Sequence, residues 1–454
     1  MQTNPQIAIV LAAGKGIRMA SARPKVLHPL AGRPMLLHLL DTLTGISPAA
    51  TVVVAGPDMA ELTEAVADHP LSPTVAVQRE RLGTGDAVKA GLAATEISAD
   101  NNGTVLILFG DTPLLTEETI RSLMQARVAT DAPGVVVLGF RTPAPGAYGR
   151  LIVNADGHLQ SIVEAKDASP AELALELCNS GLMAVDAGLL PAMLAKLTND
   201  NANGEYYLTD IVALARSQGR TCAVVEGVET ELMGINTRVD LAAADAVIQQ
   251  KLRHDAMAAG TSMHDPASVY LSWDTKMGRD VTLEPNVVFG PGVTIADNVL
   301  IKAFSHIEGS SIGEGAIVGP FARLRPGADI GTAACIGNFV EIKNAVISAG
   351  AKANHLSYIG DAAVGPKANI GAGTITCNYD GFVKSKTDIG AGAFIGSNTA
   401  LVAPVKVGEG AITGAGSVIT RDVRAGSLAV ERTEQRSLLG WATKFRNARR
   451  KQNS

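Results

Sequence analysis

A six-residue repeat is the feature that most limits how this chain can fold. Between residues 312 and 343 an aliphatic side chain recurs at every sixth position: Ile312, Val318, Leu324, Ile330, Ile336 and Ile342. This period fits neither a helix nor a simple alternating strand. It is typical of a parallel β-helix, in which short strands stack into a prism. We therefore expect the aliphatic side chains to fill the axis of that prism.

The position after each aliphatic residue is also patterned. Four hexads have a glycine there, namely Gly313, Gly319, Gly331 and Gly337. We interpret these glycines as the residues that permit a tight turn. The two remaining hexads carry Arg325 and Lys343. Exceptions to a local rule concentrate at functional sites, but surface hexads that simply tolerate a cation would give the same sequence.

The hexads predict a long prism with one interruption. They begin after Asp265-Pro266 with Val281, slip by one residue at Val364, and resume with Ile389 after the interruption. Residues 376–387 (TCNYDGFVKSKT) form the interruption, and they are polar and contain a glycine. We expect them to project as a loop, and projecting loops are part of the ligand surface of such repeats.

Length and composition limit the organisation of the chain. With 454 residues, it is too long for one ordinary core, so two or three domains are expected. We predict a first domain over residues 1–238, an Ala-rich linker helix over 239–260, and a hexapeptide-repeat domain with a C-terminal tail over 261–454. We assign no function to the basic tail segment KFRNARRK.

The charge and the cysteines exclude several classes of function. A formal net charge of −5 gives no electrostatic argument for binding nucleic acid. Four widely spaced cysteines without a CxxC pattern indicate reduced thiols and a cytoplasmic location. The sequence has no uninterrupted apolar run of about 18 residues, so no membrane span is predicted. The first 16 residues lack a basic n-region, so they predict a first strand rather than a signal peptide.

The N-terminal half alternates strand and helix patterns. Strands are predicted at 7–11, 52–55, 75–77, 104–109 and 135–140, and helices at 35–43 and 61–67. This alternation predicts a Rossmann-like α/β domain with a mostly parallel sheet covered by helices.

A glycine-bearing basic loop, AAGKGIRM, follows the first predicted strand. Its glycines allow backbone N–H groups to approach an anion, and Lys15 and Arg18 add charge. The loop is neither a P-loop nor a dinucleotide fingerprint, and a basic turn without a ligand is the alternative. Together with RPKVLHPLAGRPML, however, it resembles the signature of the sugar-phosphate nucleotidyltransferases, roughly LAxGxGxRM…PKxLxxxxGxPM.

Two further segments follow predicted strands of this domain. The apolar run TVLILF ends in Gly110-Asp111, at the edge where open α/β sheets bind ligands. Because Mg²⁺ prefers carboxylate and phosphate oxygens, Asp111 is our first-choice ligand, and capping of the helix near Glu117 is the weaker alternative. Gly83 and Thr84 could contact a nucleobase, or Thr84 could cap a helix, and the two roles are compatible.

His355 lies in the segment NHLSY of the repeat region. An isolated histidine is more often structural than catalytic. Here Arg325, Lys343, Tyr358 and Asn369 fall on nearby coils. An imidazole, with an ordinary pKa of about 6.5, suits removal of a proton from an amine near neutral pH. Two neighbouring cations would hold a sugar phosphate.

The pattern GNFVEIK…NHLSYIGD…NIGAGTITCNYDG extends the resemblance to the second half. It closely resembles the acetyltransferase half of the bacterial bifunctional enzymes that make UDP-N-acetylglucosamine, the N-acetylglucosamine-1-phosphate uridyltransferase / glucosamine-1-phosphate N-acetyltransferase family. The resemblance implies a left-handed parallel β-helix after the nucleotidyltransferase domain. It also implies acetylation of glucosamine 1-phosphate by acetyl-CoA, then Mg²⁺-dependent transfer from UTP to N-acetylglucosamine 1-phosphate. A homotrimer with acetyl-transfer sites between prisms is expected.

The family match also implies a role for each matching residue. His355 would be the general base of acetyl transfer, Lys25 and Arg18 would assist uridylyl transfer, and Asp111 with Asn236 would hold Mg²⁺. The UDP-N-acetylglucosamine contacts would be Leu11, Ala12, Ala13, Gly14, Lys25, Gln78, Gly83, Thr84, Phe109, Gly110, Asp111, Gly149, Glu164, Asn179 and Asn236. The glucosamine-phosphate contacts would be Arg325, Lys343, Tyr358 and Asn369. The acetyl-CoA contacts would be Ala372, Asn378, Tyr379, Ser397, Ala415 and Arg432.

Three points remain open at this stage. The stretch GEYYLTD, residues 204–210, is assigned to positioning only. A nucleotidyltransferase with a purely structural prism is one alternative function, which the Arg325, Lys343 and His355 set disfavours. A non-catalytic subunit with both folds is the other, which Asp111, Lys25 and Asn236 disfavour.

Overall fold

The strand patterns of the N-terminal half form one mixed sheet. The computed structural model describes residues 7–95, 103–201 and 203–452, and the chain divides into two units, Met1–Lys251 and Leu252–Ser454. The strands of the first unit are β1 Ile7–Leu11, β2 Pro29–Leu30, β3 Arg33–Pro34, β4 Ala50–Ala55, β5 Thr74–Val77, β6 Thr104–Phe109, β7 Val135–Arg141, β8 Arg150–Val153, β9 Leu159–Val163, β10 Leu177–Asp186 and β11 Cys222–Glu226.

Helices alternate with these strands. They are α1 Met35–Ile46, α2 Ala60–Val66, α3 Thr84–Ala93, α4 Glu117–Arg127, α5 Pro170–Leu173, α6 Leu190–Ala195, α7 Ile211–Ser217 and α8 Arg238–Ala258. Short 3₁₀ turns occur at Ile17–Met19, Lys25–Leu27, Leu208–Asp210 and Glu229–Glu231 in this unit, and at Pro266–Ser268 in the second.

The order of the main sheet is β11-β7-β10-β6-β1-β4-β5, and β8 pairs with β10 and β9. Pairings along this order are parallel except those of β10, which runs antiparallel to β6 and β7. The prediction of a Rossmann-like, mostly parallel sheet is therefore confirmed.

Helices cover both sides of this sheet, as its apolar strands require. Ala8 and Val10 of β1 pack into a core that also contains residues of α1, α2 and α4. Ile7, Ile9 and Leu11 of the same strand pack into the opposite core with residues of α3, α6 and α7. A central strand buried on both sides explains why β1 and β6 are almost entirely apolar.

The predicted strands and helices of this half are present, but two proposed helix caps are wrong. Helix α3 begins at Thr84, so Gly83 occupies the cap position, and the Thr84 hydroxyl instead accepts a hydrogen bond from the Leu208 N–H at 3.1 Å. Helix α4 is capped by Thr116, whose hydroxyl accepts from the Thr119 N–H. Asp111 is therefore not a capping residue.

The second unit is a parallel β-helix with three faces, as the hexads predicted. The first face contains Ser262–Met263, Thr282–Leu283, Leu300–Ile301, Ile317–Val318, Cys335–Asn338, Lys352–His355, Asn369–Ile370, Phe394–Ile395, Ile412–Thr413 and Leu428–Ala429. The second contains Val288–Phe289, His306–Ile307, Arg323–Leu324, Ile375–Cys377, Ala400–Val402 and Val418–Ile419. The third contains Lys276–Met277, Thr294–Ile295, Ser310–Ile312, Ala328–Ile330, Thr387–Ile389 and Val405–Val407. Two longer strands, Glu341–Ile347 and Tyr358–Val364, contribute to both the second and third faces.

Each hexad buries two side chains rather than one. A small residue and a large one alternate inward, as with Ala316 and Val318 or Ala334 and Ile336. Between Ile370 and Ile389 the inward positions are hydroxyl residues, Thr374, Thr376 and Thr387. These polar inward residues explain why the aliphatic repeat disappears there although the coils continue.

Three details of the predicted prism are wrong. Coils already begin at Ser262, which pairs with Thr282, and not after Asp265-Pro266. Steps of five residues occur before Ile312 and Ile347 as well as before Val364. The projecting loop is narrower than 376–387, because Thr376 and Thr387 lie buried in strands.

Most of the hexad glycines allow close packing between neighbouring coils and do not form a tight turn. A Cβ on Gly313, Gly331 or Gly337 would come within 3.0 Å of backbone atoms of the next coil, whereas Gly319 alone of the four has a left-handed φ, at +94°. The left-handed residues lie three positions after the aliphatic one, for example Phe321 and Phe339. The turn interpretation is therefore wrong at three of the four glycines.

The tail forms a helix that the sequence analysis did not predict. Helix α9 covers Trp441–Gln452, and its side chains up to residue 451 are exposed. Within the described ranges, no helix has the length and apolar character needed to cross a membrane. The four cysteines are free thiols.

Candidate functional site

A pocket of about 370 Å³ lies at the carboxyl edge of the parallel strands. Its lining contains Leu11, Ala12, Ala13, Gly14, Lys25, Val26, Gln78, Arg81, Gly83, Thr84, Ala87, Phe109, Asp111, Glu205 and Asn236. Eleven of the fifteen predicted nucleotide-sugar contacts are in this list. Gly110, Gly149, Glu164 and Asn179 are not.

Sheet register brings the pocket together from segments far apart in the chain. Leu11, the last residue of β1, pairs with Phe109, the last residue of β6. The basic loop and Asp111 therefore leave the sheet side by side. The Ile235 N–H then donates to the Asp111 carbonyl at 3.0 Å, which brings the Asn236 segment to the same edge.

Three side chains meet at the polar end of this pocket. The Lys25 ammonium donates to the Asp111 carboxylate and, at 3.1 Å, to the Asn236 side-chain oxygen. Gly16 allows this approach, because a Cβ there would lie 2.6 Å from the Lys25 Cβ. A carboxylate and an amide oxygen that converge on one cationic group are donors that suit a hard divalent cation. The residues present therefore fit the Mg²⁺ site expected from the sequence.

Backbone and side-chain contacts fix the side of the pocket that contains Gln78 and Gly83. The Gln78 amide nitrogen donates to the Gly83 carbonyl at 3.0 Å and to Asp86 at 2.8 Å. The side-chain carbonyl of Gln78 is therefore the group that a ligand would meet. The Gly85 N–H donates to the Tyr206 carbonyl at 2.8 Å, so the GEYYLTD segment holds the Gly83–Gly85 turn, as its predicted positioning role requires.

Gly149, Glu164 and Asn179 form a second group beside the pocket. The Asn179 N–H donates to the Gly149 carbonyl at 2.8 Å, and a Cβ on Gly149 would lie 3.5 Å from a Glu164 oxygen. Burial raises the pKa of the Glu164 carboxyl, against a hydrogen bond from Thr209 that lowers it. This group adjoins the pocket through Gly181, whose Cβ position is 2.7 Å from the Phe109 ring.

Arg18 is placed differently from the other predicted catalytic residues. Its side chain is exposed on the Ile17–Met19 turn and lies outside the pocket lining. Arg81, to which the sequence analysis gave no role, lines the pocket instead, and its Nε donates to the Ala13 carbonyl at 2.7 Å. Glu205 was missed in the same way, although it belongs to the GEYYLTD segment.

In the β-helix, His355 lies at the corner between the first and second faces. It is exposed, and its Nδ1 lies 2.7 Å from the Asn338 side-chain oxygen. Because an amide oxygen only accepts, this contact places the ring proton on Nδ1. Nε2 is then the nitrogen able to take a proton from a ligand. Asn338 belongs to the GNFVEIK segment, but no role was predicted for it.

The same corner continues along the prism. The corner column is defined as Asn338, His355, Ala372, Ser397 and Ala415. The first two end first-face strands, and the other three lie two residues after the end of one. The Asn398 N–H donates to the Ala372 carbonyl at 2.7 Å, and the Gly416 N–H donates to the Ser397 carbonyl at 2.8 Å. Arg432 adds a hydrogen bond of 2.8 Å to the Ala415 carbonyl. The predicted base and four predicted acetyl-CoA contacts therefore share one edge of the prism.

The predicted phosphate ligands Arg325 and Lys343 directly follow the inward residues of the second face, on the side that leads to the third face. The register of Leu324 with Ile342 places Arg325 beside Lys343 on adjacent coils, and Tyr358 pairs with Glu341 on the same face. Arg325 donates to Glu341 at 2.9 Å. Repulsion from Lys384 of the projecting loop, followed by repulsion from Arg325, lowers the pKa of the Lys343 ammonium. Three cations therefore converge on one surface, and the third, Lys384, was not predicted.

The remaining predicted residues of this unit separate into two groups. Asn378, at the base of the projecting loop, donates to Asp361, which also accepts from Asn344 at 2.6 Å. Tyr379 is exposed on the loop. Asn369 pairs with Lys352 on the first face, so the structure does not place it on the face that holds the cations.

Comparisons with known proteins agree with these two units. A family model described as a MobA-like NTP transferase domain matches residues 8–175. A model for six bacterial transferase hexapeptide repeats matches residues 274–309, 309–344 and 386–421. An NTP-transferase unit followed by a hexapeptide-repeat unit defines a two-domain class of bacterial transferases.

Relatives that match the whole chain identify the family. The protein named Bifunctional protein GlmU from Paramagnetospirillum magneticum is 57% identical over 98% of this chain and 98% of its own length. The proteins of the same name from Rhodospirillum rubrum and Sphingopyxis alaskensis are 59% and 55% identical over at least 97% of both chains. The chain belongs to the family of the bifunctional protein GlmU.

Proposed function

We propose that this chain makes UDP-N-acetylglucosamine by two successive transfers. The prism transfers acetyl from acetyl-CoA to the amine of glucosamine 1-phosphate. The first unit then joins N-acetylglucosamine 1-phosphate to UTP and releases pyrophosphate. The observation that carries the proposal is the presence of two built sites of different chemistry. One is an oxygen-ligand cluster in a nucleotide-sized pocket. The other is the second face of the prism, which has an oriented imidazole at one edge and converging cations at the other.

For acetyl transfer, the sugar amine attacks in its uncharged form, and His355 Nε2 takes the proton that the nitrogen loses as the new bond forms. The amine nitrogen forms a bond to the acetyl carbonyl carbon, and the carbon–sulfur bond breaks. The proton held by His355 then passes to the departing CoA sulfur. Asn338 keeps the ring in the tautomer that this step needs.

Two surfaces of the prism place the substrates, namely the surface with the converging cations and the corner column. Arg325 and Lys343 bind the sugar phosphate by charge, while Tyr358 contacts the sugar from the second face and Asn369 from the first. Acetyl-CoA lies along the corner column and meets Ala372, Ser397 and Ala415, with Asn378, Tyr379 and Arg432 as further contacts. The thioester can thus reach His355 from the same edge.

For uridylyl transfer, a phosphate oxygen of N-acetylglucosamine 1-phosphate attacks the α-phosphorus of UTP. A new P–O bond forms, the α–β bridge breaks, and pyrophosphate leaves. Asp111 and Asn236 would hold Mg²⁺, which when bound offsets charge that develops on the phosphates. Lys25 adds positive charge inside the pocket, and Arg18 approaches from its rim.

Recognition of the two substrates divides between the two ends of this site. Gln78, Gly83 and Thr84 face the base, and the loop after β1 approaches the phosphates through its backbone. Gly149, Glu164 and Asn179 hold the sugar, where Glu164 accepts hydrogen bonds from hydroxyl groups. The product supplies peptidoglycan and lipopolysaccharide synthesis in the cytoplasm.

We also propose a homotrimer with acetyl-transfer sites between prisms. Phe304, Phe321 and Phe339 stack on successive coils with ring centroids 4.9 and 5.1 Å apart, and they are 44–56% exposed. Phe339 directly follows Asn338 of the corner column, and exposed Leu356 directly follows His355. A second prism packed on this aromatic ladder would therefore lie beside the predicted base.

The test uses two assays on wild type and on the variants His355→Ala and Asp111→Asn. One assay follows CoA release from acetyl-CoA with glucosamine 1-phosphate. The other follows pyrophosphate release from UTP with N-acetylglucosamine 1-phosphate and Mg²⁺. We expect wild type to perform both reactions. His355→Ala should lose roughly 10²–10⁴-fold in the first assay only, and Asp111→Asn should lose activity in the second only.

Other outcomes would replace the proposal. A wild-type protein that releases pyrophosphate but never CoA would be a nucleotidyltransferase with a structural prism. A protein inactive in both assays, with both folds intact, would be a non-catalytic subunit. Full acetyl transfer by His355→Ala would make that histidine structural.

A further inference from the structure

The Lys25 ammonium bridges the two side-chain oxygens that the proposed metal site uses. It donates to the Asp111 carboxylate and to the Asn236 amide oxygen. The Lys25 and Asp111 side chains are only 13% and 16% exposed, so this contact lies inside the pocket. One cation, supplied by the chain itself, thus already occupies the position between both oxygens.

Neighbouring contacts hold the Asn236 side-chain oxygen and the Asp111 backbone in place. The Asn236 amide nitrogen donates to the Gly234 carbonyl at 3.2 Å, which turns its oxygen toward Lys25. The Asn236 and Thr237 N–H groups donate to Asp240 at 3.0 and 2.8 Å. The Asp111 backbone is bonded to Ile235. The Asn236 oxygen and the Asp111 backbone are therefore fixed by the fold, whereas Lys25 ends a long flexible side chain.

We propose that Lys25 and the metal ion compete for the same two oxygens, so that metal binding moves the Lys25 ammonium away from them. The inference rests on the proposed metal site. One carboxylate cannot balance an ammonium and a divalent cation at the same position, and like charges at such a separation repel strongly. The displaced ammonium remains within the pocket, where the anionic phosphates of a nucleotide would accept it.

This competition couples two binding steps. Before metal binds, Lys25 neutralises Asp111 and keeps both oxygens paired. After metal binds, the same lysine becomes available to phosphate. A ligand that must displace an internal competitor binds more weakly than the bare site would allow. Removal of the competitor should therefore strengthen metal binding in the absence of any nucleotide.

The first experiment measures Mn²⁺ affinity without nucleotide, by electron paramagnetic resonance of free Mn²⁺. We expect Lys25→Met to bind Mn²⁺ about tenfold more tightly than wild type. Lys15→Met is the matched control, because exposed Lys15 belongs to the same loop region but its side chain lines no part of the pocket. It should change the affinity by less than about twofold. Equal affinity in Lys25→Met and wild type overturns the inference.

A second measurement uses the wild-type protein, so that it does not depend on the fold of a variant. Reductive methylation of Lys25 is followed by mass spectrometry with and without Mg²⁺. Displacement predicts faster labelling of Lys25 when Mg²⁺ is added, with Lys15 as the internal reference. An unchanged or slower rate contradicts displacement.

The variant Asp111→Asn distinguishes a failure of this inference from a failure of the proposed function on which it rests. If Asp111→Asn binds Mn²⁺ as tightly as wild type, the metal site itself has been misassigned. If that variant loses Mn²⁺ while Lys25→Met matches wild type, the metal site stands and only the competition is wrong.

Discussion

Among single residues, His355 depends on Asn338 for the orientation of its ring. The 2.7 Å contact between Nδ1 and the amide oxygen selects one tautomer. We expect Asn338→Ala to lower kcat of CoA release at least about tenfold, with little change in KM for either substrate.

Asn338→Asp tests whether this effect comes from orientation. A carboxylate still accepts the Nδ1 proton, so activity should largely return. It also favours the charged imidazole, so the acid limb of the pH–rate profile should move to higher pH. Wild-type kcat in Asn338→Ala would show that Asn338 does not position the base.

Glu164 provides a residue-scale prediction about pH. Burial raises its pKa in the folded state, so between the ordinary and the raised value the folded protein binds more protons than the unfolded chain. The free energy of unfolding therefore falls as pH rises through this window. Glu164→Gln removes this loss, so the variant should melt at a higher temperature than wild type at pH 8. The difference should vanish below pH 4.

Glu172→Gln is the control, because its change in melting temperature at pH 8 should have the opposite sign. Hydrogen bonds from Ser169 lower the pKa of the Glu172 carboxyl, so its contribution is present at neutral pH and lost in acid. This variant should melt lower than wild type at pH 8. Equal melting of Glu164→Gln and wild type across the pH range would contradict a raised pKa for Glu164.

At the scale of elements, the hexads predicted the prism well because an inward residue recurs with fixed chemistry. They failed between Ile370 and Ile389, where buried threonines take the inward positions. Hydroxyls that hydrogen-bond to the neighbouring coil, as Thr376 does with the Gly360 carbonyl at 3.0 Å, carry no aliphatic signal. The first coil was missed for a related reason, since its strand is only Ser262–Met263.

The hexad glycines allow a test of coil-to-coil packing. A Cβ on Gly337 would lie 1.9 Å from the Asn354 carbonyl oxygen, a backbone atom that cannot move independently. Gly337→Ala should therefore destabilise the second unit by about 1–3 kcal/mol and lower its Tm by roughly 2–10 °C.

Gly414→Ala is the matched control on the same face and at the same hexad position. Its new Cβ would first meet the Val430 side chain, at 3.0 Å, and that side chain can shift. Calorimetry should show a smaller loss than in Gly337→Ala. Equal losses would mean that backbone contact between coils does not decide the choice of glycine.

At the scale of the whole molecule, both candidate sites combine segments that the sequence separates. Motif resemblance predicted Asp111 and Asn236 as partners, but only the sheet register and the Ile235–Asp111 hydrogen bond show how they meet. Likewise, spacing could not show that His355, Ala372, Ser397 and Ala415 share one corner, because a projecting loop outside the hexad pattern separates the second from the third. Lys384 was missed because its position depends on how that loop folds back.

The aromatic ladder gives the prediction that belongs to the assembly. Phe321 lies in the middle of the stack, between Phe304 and Phe339, and it is exposed in a single chain. If another prism covers the ladder, Phe321→Lys would bury a charge in an apolar contact, which is costly. We expect this variant to elute with the mass of a single chain in light-scattering chromatography.

The two activities should then separate in Phe321→Lys. CoA release should fall with the loss of the trimer, because the corner column adjoins the ladder, whereas pyrophosphate release should persist, because the nucleotide pocket is built from the first unit alone. Phe445→Lys is the control, since Phe445 is also exposed but belongs to α9. A trimeric Phe321→Lys with full CoA release would show that the ladder is not the contact between prisms, and the shared site would have to be sought on another face.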